Sequence, residues 1–280
     1  MKTLLSFGHG YSARALAHLL LPQEWRIIGT TRSPEKAEAL KADGIEARVT
    51  PDENLTADIA VATHILMSAA PGEGGDPFLS AYGAALSAAQ PEWVGYLSTT
   101  GVYGDHGGAW VDEAAPLTPA TKRGQMRVDA EAAWQATGLE PHIFRLAGIY
   151  GPGRGPFSKV RAGTARRIIK QGQIFSRIHV EDIAQVLAAS IAQPNPGAIY
   201  NVCDNDPAPP EDVIAHAAEL LGLPLPPAVD FETADMTPMA RSFYSESKRV
   251  RNDRIREELG VDLLYPSYKD GLPALLANES

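Results

Sequence analysis

The run GHGYSA (8–13) places small residues where a polypeptide could wrap around a phosphate. Its first glycine permits a tight turn, its second lets the backbone approach a pyrophosphate, and the alanine lets a helix pack on the preceding strand. The free amides at the start of that helix favour an anion. We therefore predict a dinucleotide site here, with an ordinary glycine-rich turn as the alternative. The candidate cofactor-binding residues of this turn are Gly8, Gly10, Tyr11, Ser12 and Ala13.

The stretch GTTRS (29–33), at the end of the second predicted strand, bears on the choice of cofactor. An NAD site favours an acidic residue there to hold the ribose hydroxyls, but none occurs before Glu35. Thr31, Arg32 and Ser33 could instead hold a 2′-phosphate, and the planar guanidinium of Arg32 suits bidentate pairing. The stretch thus favours NADP, with NAD still possible and a solvated surface arginine as the alternative for Arg32.

Two arginines lie four residues apart in TKRGQMRVDAE (121–131), a run that predicts a helix reaching towards Gly138. Like charges so placed on one helix face cost about 0.2–0.5 kcal/mol. Arg123 and Arg127 could together clamp an anionic group of cofactor or substrate, which would lift that cost. Two other interpretations stay open: a site that binds without catalysing, and an arginine that merely pairs with a nearby surface carboxylate.

Short β-rich runs alternate with helical patterns over the first two-thirds of the chain, which indicates βαβ units and a parallel sheet. The pieces after Gly151 and after Cys203 are expected to form a smaller lobe. The predicted strands are 3–7, 25–31, 46–49, 64–69, 93–100, 142–147 and 198–204. The predicted helices include 11–20, 78–89, 180–193 and one that starts at Ser33-Pro34.

Composition and charge exclude several classes of protein. The 280 residues are 44% hydrophobic and 21% charged, which supplies ample material for a core, and no apolar run approaches the ~18 residues of a membrane span. A net charge of −9 argues against a nucleic-acid binder. The single cysteine, Cys203, excludes an internal disulfide and fits a reducing cytoplasm, and the scattered histidines make a zinc site unexpected. We expect a cytoplasmic protein without a metal and without a nucleic-acid or membrane partner.

Further motifs follow the glycine-rich turn in a fixed order. They are STTGVYG (98–104), FRLAGIYGPG (144–153), RIHVEDIA (177–184) and IYNV (199–202). Together with the turn they resemble the extended short-chain dehydrogenase/reductase superfamily, in the group of NAD(P)-dependent epimerases and dehydratases. The resemblance implies an α/β fold with a doubly wound parallel sheet, the Rossmann fold, and a smaller C-terminal substrate lobe. On this basis we place the NAD(P)-binding domain at 1–150 and 178–204 and the lobe at 151–177 and 205–280.

The resemblance also implies catalytic positions. The family's SSxxVYG motif supplies a catalytic Ser or Thr at its second position, here Thr99. Its YGxxK helix, with a Glu four residues after the Lys, aligns on Gly124 and Glu131, so Arg123 stands at the Tyr position and Arg127 at the Lys position. Arg127 could still hold a ribose or a phosphate. Arg123 cannot act as a general acid or base, because a guanidinium does not lose its proton in proteins. The candidate replacements for the missing phenol are Tyr103, Tyr150 and Tyr11.

Several other residues complete the predicted site. Further cofactor-binding candidates are Ser68, Ala69, Ala70 and Ser98, and the substrate-binding candidates are Thr100, Tyr103, Arg154 and Arg177. Extended family members often hold a nucleotide-sugar diphosphate with arginines from this region, so one or two of Arg154, Arg161, Arg166, Arg167 and Arg177 are expected to contact a phosphate. A solvated helix face is the alternative for each. Lys248, Arg249, Arg251, Arg254 and Arg256 alternate with acids and are typical of an exposed helix face.

The functional prediction is an atypical oxidoreductase, epimerase or dehydratase acting on a small or nucleotide-linked hydroxyl or carbonyl compound. In it Thr99 polarises the substrate oxygen and Arg127 orients the cofactor ribose. The alternative, which the missing Tyr favours, is a non-catalytic NADP(H)-binding sensor or scaffold. Either protein would be a monomer or a homodimer with a small-molecule ligand.

Overall fold

The computed structural model describes residues 1–279. Within them the chain forms thirteen β-strands and eleven α-helices. The strands are β1 (Thr3–Phe7), β2 (Arg26–Thr31), β3 (Glu46–Val49), β4 (His64–Met67), β5 (Trp93–Thr99), β6 (Trp110–Val111), β7 (His142–Leu146), β8 (Gly148–Tyr150), β9 (Arg167–Ile169), β10 (Arg177–His179), β11 (Ile199–Val202), β12 (Ala228–Asp230) and β13 (Arg249–Val250). The helices are α1 (Tyr11–Leu20), α2 (Pro34–Ala42), α3 (Thr56–Val61), α4 (Pro77–Ala89), α5 (Lys122–Gln135), α6 (Phe157–Arg161), α7 (Val180–Ala192), α8 (Pro210–Leu220), α9 (Pro238–Phe243), α10 (Asp253–Glu257) and α11 (Tyr268–Asn278).

Seven parallel strands form the central sheet, in the order β11-β7-β5-β4-β1-β2-β3. The chain builds outward from β1 in both directions, so the strand order reverses between β1 and β4. In doubly wound sheets a ligand binds outside the carboxyl ends of the strands at this switch point. The predicted fold class is confirmed, and each of the seven predicted strands forms, some with ends shifted by one or two residues.

Helices cover both faces of the sheet. Leu4 and Leu5 are adjacent in β1 but belong to different hydrophobic clusters, because successive side chains of a strand point to opposite faces. On one face Leu16 of α1 and Ile183 of α7 are buried, and on the other Trp134 of α5 packs with residues of α3 and α4. A sheet buried on both faces explains why its strands read as continuous apolar runs.

A third cluster holds the smaller lobe together. It joins α6, α8 and α11 through residues such as Phe157, Ala217 and Leu272. The C-terminal chain does not stay within this lobe, because Val250 and Ile255 pack in the cluster that contains α1 and α7. Residues 205–280, which we placed in the lobe, therefore include a segment that returns to the sheet. No helix of residues 1–279 is both long enough and apolar enough to cross a bilayer.

Candidate functional site

A cleft of about 370 Å³ lies at the switch point of the sheet. Gly8 has φ +74°, and a Cβ on it would lie within 2.8–2.9 Å of the backbone and Cβ of Ala69, so only glycine lets the turn approach the end of β4. A Cβ on Gly10 would meet nothing closer than the Gly8 carbonyl at 3.7 Å. Ala13 is fully buried against the sheet. The loop thus leaves room beside exposed backbone, as a dinucleotide diphosphate requires. The cleft is lined by Gly8, Gly10, Tyr11, Ser12, Ser68, Leu97, Ser98, Thr99, Arg127, Leu146, Ala147, Ile149 and Arg154.

The side chain of His9 does not obstruct this cleft. It is buried beneath the turn, where a Cβ on Gly29 would come within 2.8 Å of its ring. Burial lowers the pKa of His9 to about 4, so the ring is neutral at pH 7. Tyr11 lines the cleft together with Gly8, Gly10 and Ser12, and its hydroxyl donates to the Pro152 carbonyl at 2.9 Å.

The residues predicted to select the cofactor lie at the end of β2. Thr31 Oγ1 accepts from the Ser33 amide at 3.2 Å, and Ser33 Oγ caps α2 by accepting from the Lys36 amide at 3.3 Å. Arg32 is exposed. At the end of β4, Ser68 lines the cleft, Ala69 touches the glycine turn, and Ala70 is exposed. The structure therefore brings Ser68 to the cleft and leaves Arg32 outside its lining.

A second cavity, of about 610 Å³, lies between the carboxyl edge of the sheet and the lobe. It shares Thr99, Ala147, Ile149 and Arg154 with the first cleft. Thr99 Oγ1 accepts from the Gly101 amide at 3.1 Å, which leaves its proton free to be donated outward. Thr100 also lines this cavity. A group bound in one cavity would therefore meet a group bound in the other beside Thr99.

The two arginines of α5 diverge. Arg127 lines the first cleft and donates from Nη1 to the Leu97 carbonyl at 2.7 Å and to the Tyr96 hydroxyl at 3.1 Å. Arg123 lines neither cavity, donates to Ser242 Oγ at 2.9 Å, and lies 5.2 Å from the ring centre of Phe243 in α9. The structure does not bring the two side chains together, because Arg123 contacts α9 while Arg127 faces the first cleft. Neither arginine pairs with a carboxylate of residues 1–279.

The prediction that Tyr103 contacts substrate is wrong. Its ring is fully buried, its hydroxyl donates to Asn201 Oδ1 at 2.7 Å, and it accepts from Arg145 at 2.9 Å. Tyr150 does line the larger cavity, and its hydroxyl lies 3.4 Å from the Ser267 carbonyl. Burial raises the pKa of all three candidate phenols, that of Tyr103 to about 12. None of Tyr11, Tyr103 and Tyr150 is thus tuned as a proton carrier near pH 7.

A buried ionic network behind Thr99 was not predicted. Arg145 of β7 pairs with Glu131 at 2.8 Å, and each side chain is 3% exposed. Ser98 donates to the same Glu131 carboxylate, so its hydroxyl is turned into the network although the residue lines the cleft. The network fixes the end of β5 to α5 and β7. An arginine within the apolar strand HIFRLA is the sequence signal that could have revealed it, because a charged residue in a central strand is rarely buried without a partner.

Two of the five candidate arginines of this segment line a cavity, and they are the two that we named as substrate-binding candidates. Arg154 lines both cavities and lies 4.5 Å over the Tyr11 ring, and Arg177 lines the larger one. Arg161 pairs with Glu279, and Arg166 and Arg167 donate to backbone carbonyls away from the cavities.

Lys248 was predicted to be exposed, but it is buried and lines the larger cavity. It donates to the Gly104 carbonyl and pairs with Glu246, both at 2.7 Å. The segment runs into β13 rather than forming a helix, and this changes which side chains face inward. Sequence periodicity gave no sign of that change.

We compared the sequence and the structure with those of known proteins. No family model matches the chain. Protein YeeZ of Escherichia coli (strain K12) is 30% identical over 287 residues, which cover 95% of this chain and 97% of YeeZ. A functionally unknown conserved protein from Silicibacter pomeroyi is 66% identical, covers 99% of both chains and superposes with a TM-score of 0.96. A protein assigned to the NAD-dependent epimerases/dehydratases, from Methylobacillus flagellatus, is 25% identical over 99% of this chain and 98% of its own, with a TM-score of 0.70. The chain belongs to the family of Escherichia coli Protein YeeZ, and its own Rossmann fold is similar to that of the NAD-dependent epimerase/dehydratase relative.

Proposed function

We propose that this protein binds a nicotinamide dinucleotide in the smaller cleft and a small hydroxyl or carbonyl compound in the larger cavity, and that it acts as an atypical oxidoreductase or epimerase. The observation that carries the proposal is the meeting of the two cavities at Thr99, Ala147, Ile149 and Arg154. That arrangement would bring a nicotinamide and a substrate carbon together. The 25% identical epimerase/dehydratase relative supports the choice of cofactor class.

The protein's own residues would bind and orient rather than move protons. The Gly8–Ser12 backbone would hold the diphosphate at the start of α1, and Arg127 would hold the nicotinamide ribose. Thr99, whose oxygen already accepts from Gly101, would donate a hydrogen bond to the substrate oxygen. The bound dinucleotide would supply the hydride acceptor or donor.

The absence of a phenol at position 123 limits the expected rate. A positioned general acid or base contributes about 10²–10⁴-fold to a rate. Arg123 cannot supply that contribution, since it stays protonated and contacts α9. We expect turnover to be slower by about this factor than in an enzyme with Tyr at that position.

Cofactor preference is expected to depend on Arg32. We propose that the exposed guanidinium of Arg32, directly after β2, pairs with a 2′-phosphate, so Arg32→Ala should weaken NADPH binding by about tenfold or more and leave NADH binding unchanged. Calorimetric titration of both cofactors measures this. Lys41→Ala, at the far end of α2 and paired with Glu38, is the matched control. Equal affinities for NADPH and NADH in the unchanged protein would contradict the assignment.

The two arginines of α5 are expected to differ in their effect on the cofactor. Arg127→Met should lower dinucleotide affinity about tenfold, because a charge-assisted hydrogen bond in the cleft is lost. Arg123→Met, one helical turn away and outside both cavities, should change it by less than about twofold. The same titration compares the two variants. An equal loss of dinucleotide affinity in both would indicate that Arg123 and Arg127 hold the cofactor together, contrary to this prediction.

A non-catalytic dinucleotide sensor is the second candidate, and the contacts of Arg123 with Ser242 and Phe243 favour it. One assay distinguishes the two functions. The protein is mixed with NADPH and with each member of a panel of aldehydes and ketones, and the fluorescence of NADPH is measured over time. Consumption of NADPH above the protein-free rate supports the enzyme. Tight NADPH binding without consumption supports the sensor, and absence of NADPH binding contradicts both.

A further inference from the structure

The larger cavity has walls suited to an apolar ring. Phe175, Phe243 and Tyr268 line it, together with aliphatic residues such as Val213 and Leu272. Aromatic and aliphatic walls with a few polar groups bind ligands mainly by burying apolar surface, and the polar groups fix their orientation. The polar groups of this cavity therefore indicate what a ligand must carry besides its ring.

Two of the charged groups in the cavity already satisfy each other. Lys248 and Glu246 pair at 2.7 Å, and Lys248 also donates to the Gly104 carbonyl. Arg154 stands at the junction with the cofactor cleft, over the Tyr11 ring. Arg177 is thus the cation left in the interior of the cavity.

Arg177 is oriented but not neutralised. Its Nη1 donates to the Phe175 carbonyl at 2.9 Å and to the Ala208 carbonyl at 3.1 Å, which are uncharged partners. The nearby Asp204 carboxyl compensates little at neutral pH, because burial raises its pKa to about 8. Burial also lowers the pKa of Arg177, although the guanidinium remains charged. Arg177 forms no ion pair with a carboxylate of the described residues, so an anionic group of a ligand would stabilise its charge.

Three basic side chains of the described residues line the cavity. Lys248 is paired with Glu246 and Arg154 stands at the junction with the cofactor cleft, so Arg177 is the one cation left for a ligand in the interior. A diphosphate carries several charged oxygens and is usually held by more than one arginine or lysine. Arg161, Arg166 and Arg167, the other arginines of this segment, make contacts elsewhere. A single interior cation matches a single anionic group instead.

We infer that the substrate is a compact, mainly apolar, ring-containing acid whose one anionic group pairs with Arg177, and not a nucleotide-sugar. The inference rests on the proposed function only for the statement that the ligand of this cavity is the substrate. The same geometry would bind such an acid whether or not a dinucleotide occupies the neighbouring cleft.

Calorimetric titration of the full chain with trans-cinnamate, its neutral analogue cinnamamide, and UDP-glucose tests the inference. Trans-cinnamate should bind about 10- to 100-fold more tightly than cinnamamide, and more tightly than UDP-glucose. Tighter binding of UDP-glucose, equal binding of the acid and the amide, or no binding of trans-cinnamate at millimolar concentration would overturn the inference. This comparison needs no variant and so does not depend on how a substitution folds.

Substitutions then locate the anionic group. Arg177→Gln should abolish the advantage of trans-cinnamate over cinnamamide, Arg177→Lys should keep part of it, and Arg166→Gln, exposed and outside the cavity, should keep all of it. A folded Arg177→Gln variant that still prefers the acid would contradict the assignment. NADPH is titrated separately. If NADPH does not bind but trans-cinnamate binds through Arg177, the proposed function is contradicted, while the inference that the cavity binds a ring-containing acid is supported.

Discussion

Gly10→Val is expected to lower the affinity for NADPH by about 100-fold or more while the protein keeps its fold. A side chain at this position would project into the cleft, since the nearest atom to its Cβ is the Gly8 carbonyl at 3.7 Å. It would hold the diphosphate away from the amides of α1 and so remove one or two charge-assisted hydrogen bonds, each of about 1.5–3 kcal/mol. Each 1.4 kcal/mol corresponds to about tenfold in affinity.

The fold should tolerate this change because Gly10 does not require a positive φ. Its φ is −101°, a negative value that residues other than glycine adopt. Gly83→Val, on α4 and away from the cleft, is the matched control and should leave NADPH affinity unchanged. Calorimetry gives the affinities and thermal unfolding checks the fold. A folded Gly10→Val protein with unaltered affinity would show that the turn does not hold the cofactor.

Glu131→Ala is expected to lower the free energy of unfolding by about 3–5 kcal/mol. The substitution leaves the Arg145 guanidinium buried without its counter-ion, and it also removes the acceptor of the Ser98 hydroxyl. Urea unfolding followed by tryptophan fluorescence measures the loss. Activity and cofactor binding should fall as well, because the network holds the end of β5 that carries Thr99.

Two further variants show whether the loss comes from the unpaired charge. Glu73→Ala breaks an exposed ion pair with Lys122, in which the side chains are 80% and 73% exposed, and should cost less than about 1 kcal/mol. The double variant Glu131→Leu/Arg145→Met removes both buried charges and should recover much of the stability. A loss below about 1 kcal/mol in Glu131→Ala would contradict this role for the pair.

The sheet could be predicted from sequence because its strands are buried on both faces. Most of them are short apolar runs, with the edge strand β3 (EARV) as the exception, and the glycines of the first turn mark the point where strand passes to helix. These signals come from residues that are close together in the chain, so they can be recognised in a single sequence. The doubly wound arrangement of the strands was predicted from the resemblance to a family of known fold.

The direction of individual side chains could not be predicted in the same way. Arg123 and Arg127 share a helix face, yet Arg127 meets the Leu97 carbonyl while Arg123 reaches Ser242, which lies 119 residues further along the chain. Tyr103 was expected to face substrate, but a buried arginine and asparagine hold its hydroxyl. Such contacts join residues that are distant in sequence, so neither spacing nor residue type reveals them.

Lys248 illustrates a different failure. Alternating charges around it are typical of an exposed helix, but the chain there forms a short strand beside β6 and the lysine faces the larger cavity. Its buried position depends on the Gly104 carbonyl and on Glu246. Pairing between two-residue strands leaves almost no trace in sequence.

A crystal structure of the protein with NADPH tests the central claim most directly. The account predicts electron density for the diphosphate over the amides of Gly10–Ser12, the nicotinamide beside Thr99 and Arg127, and the 2′-phosphate beside Arg32. Density for the dinucleotide at another place on the protein, or a cleft without it at saturating NADPH, would contradict the account.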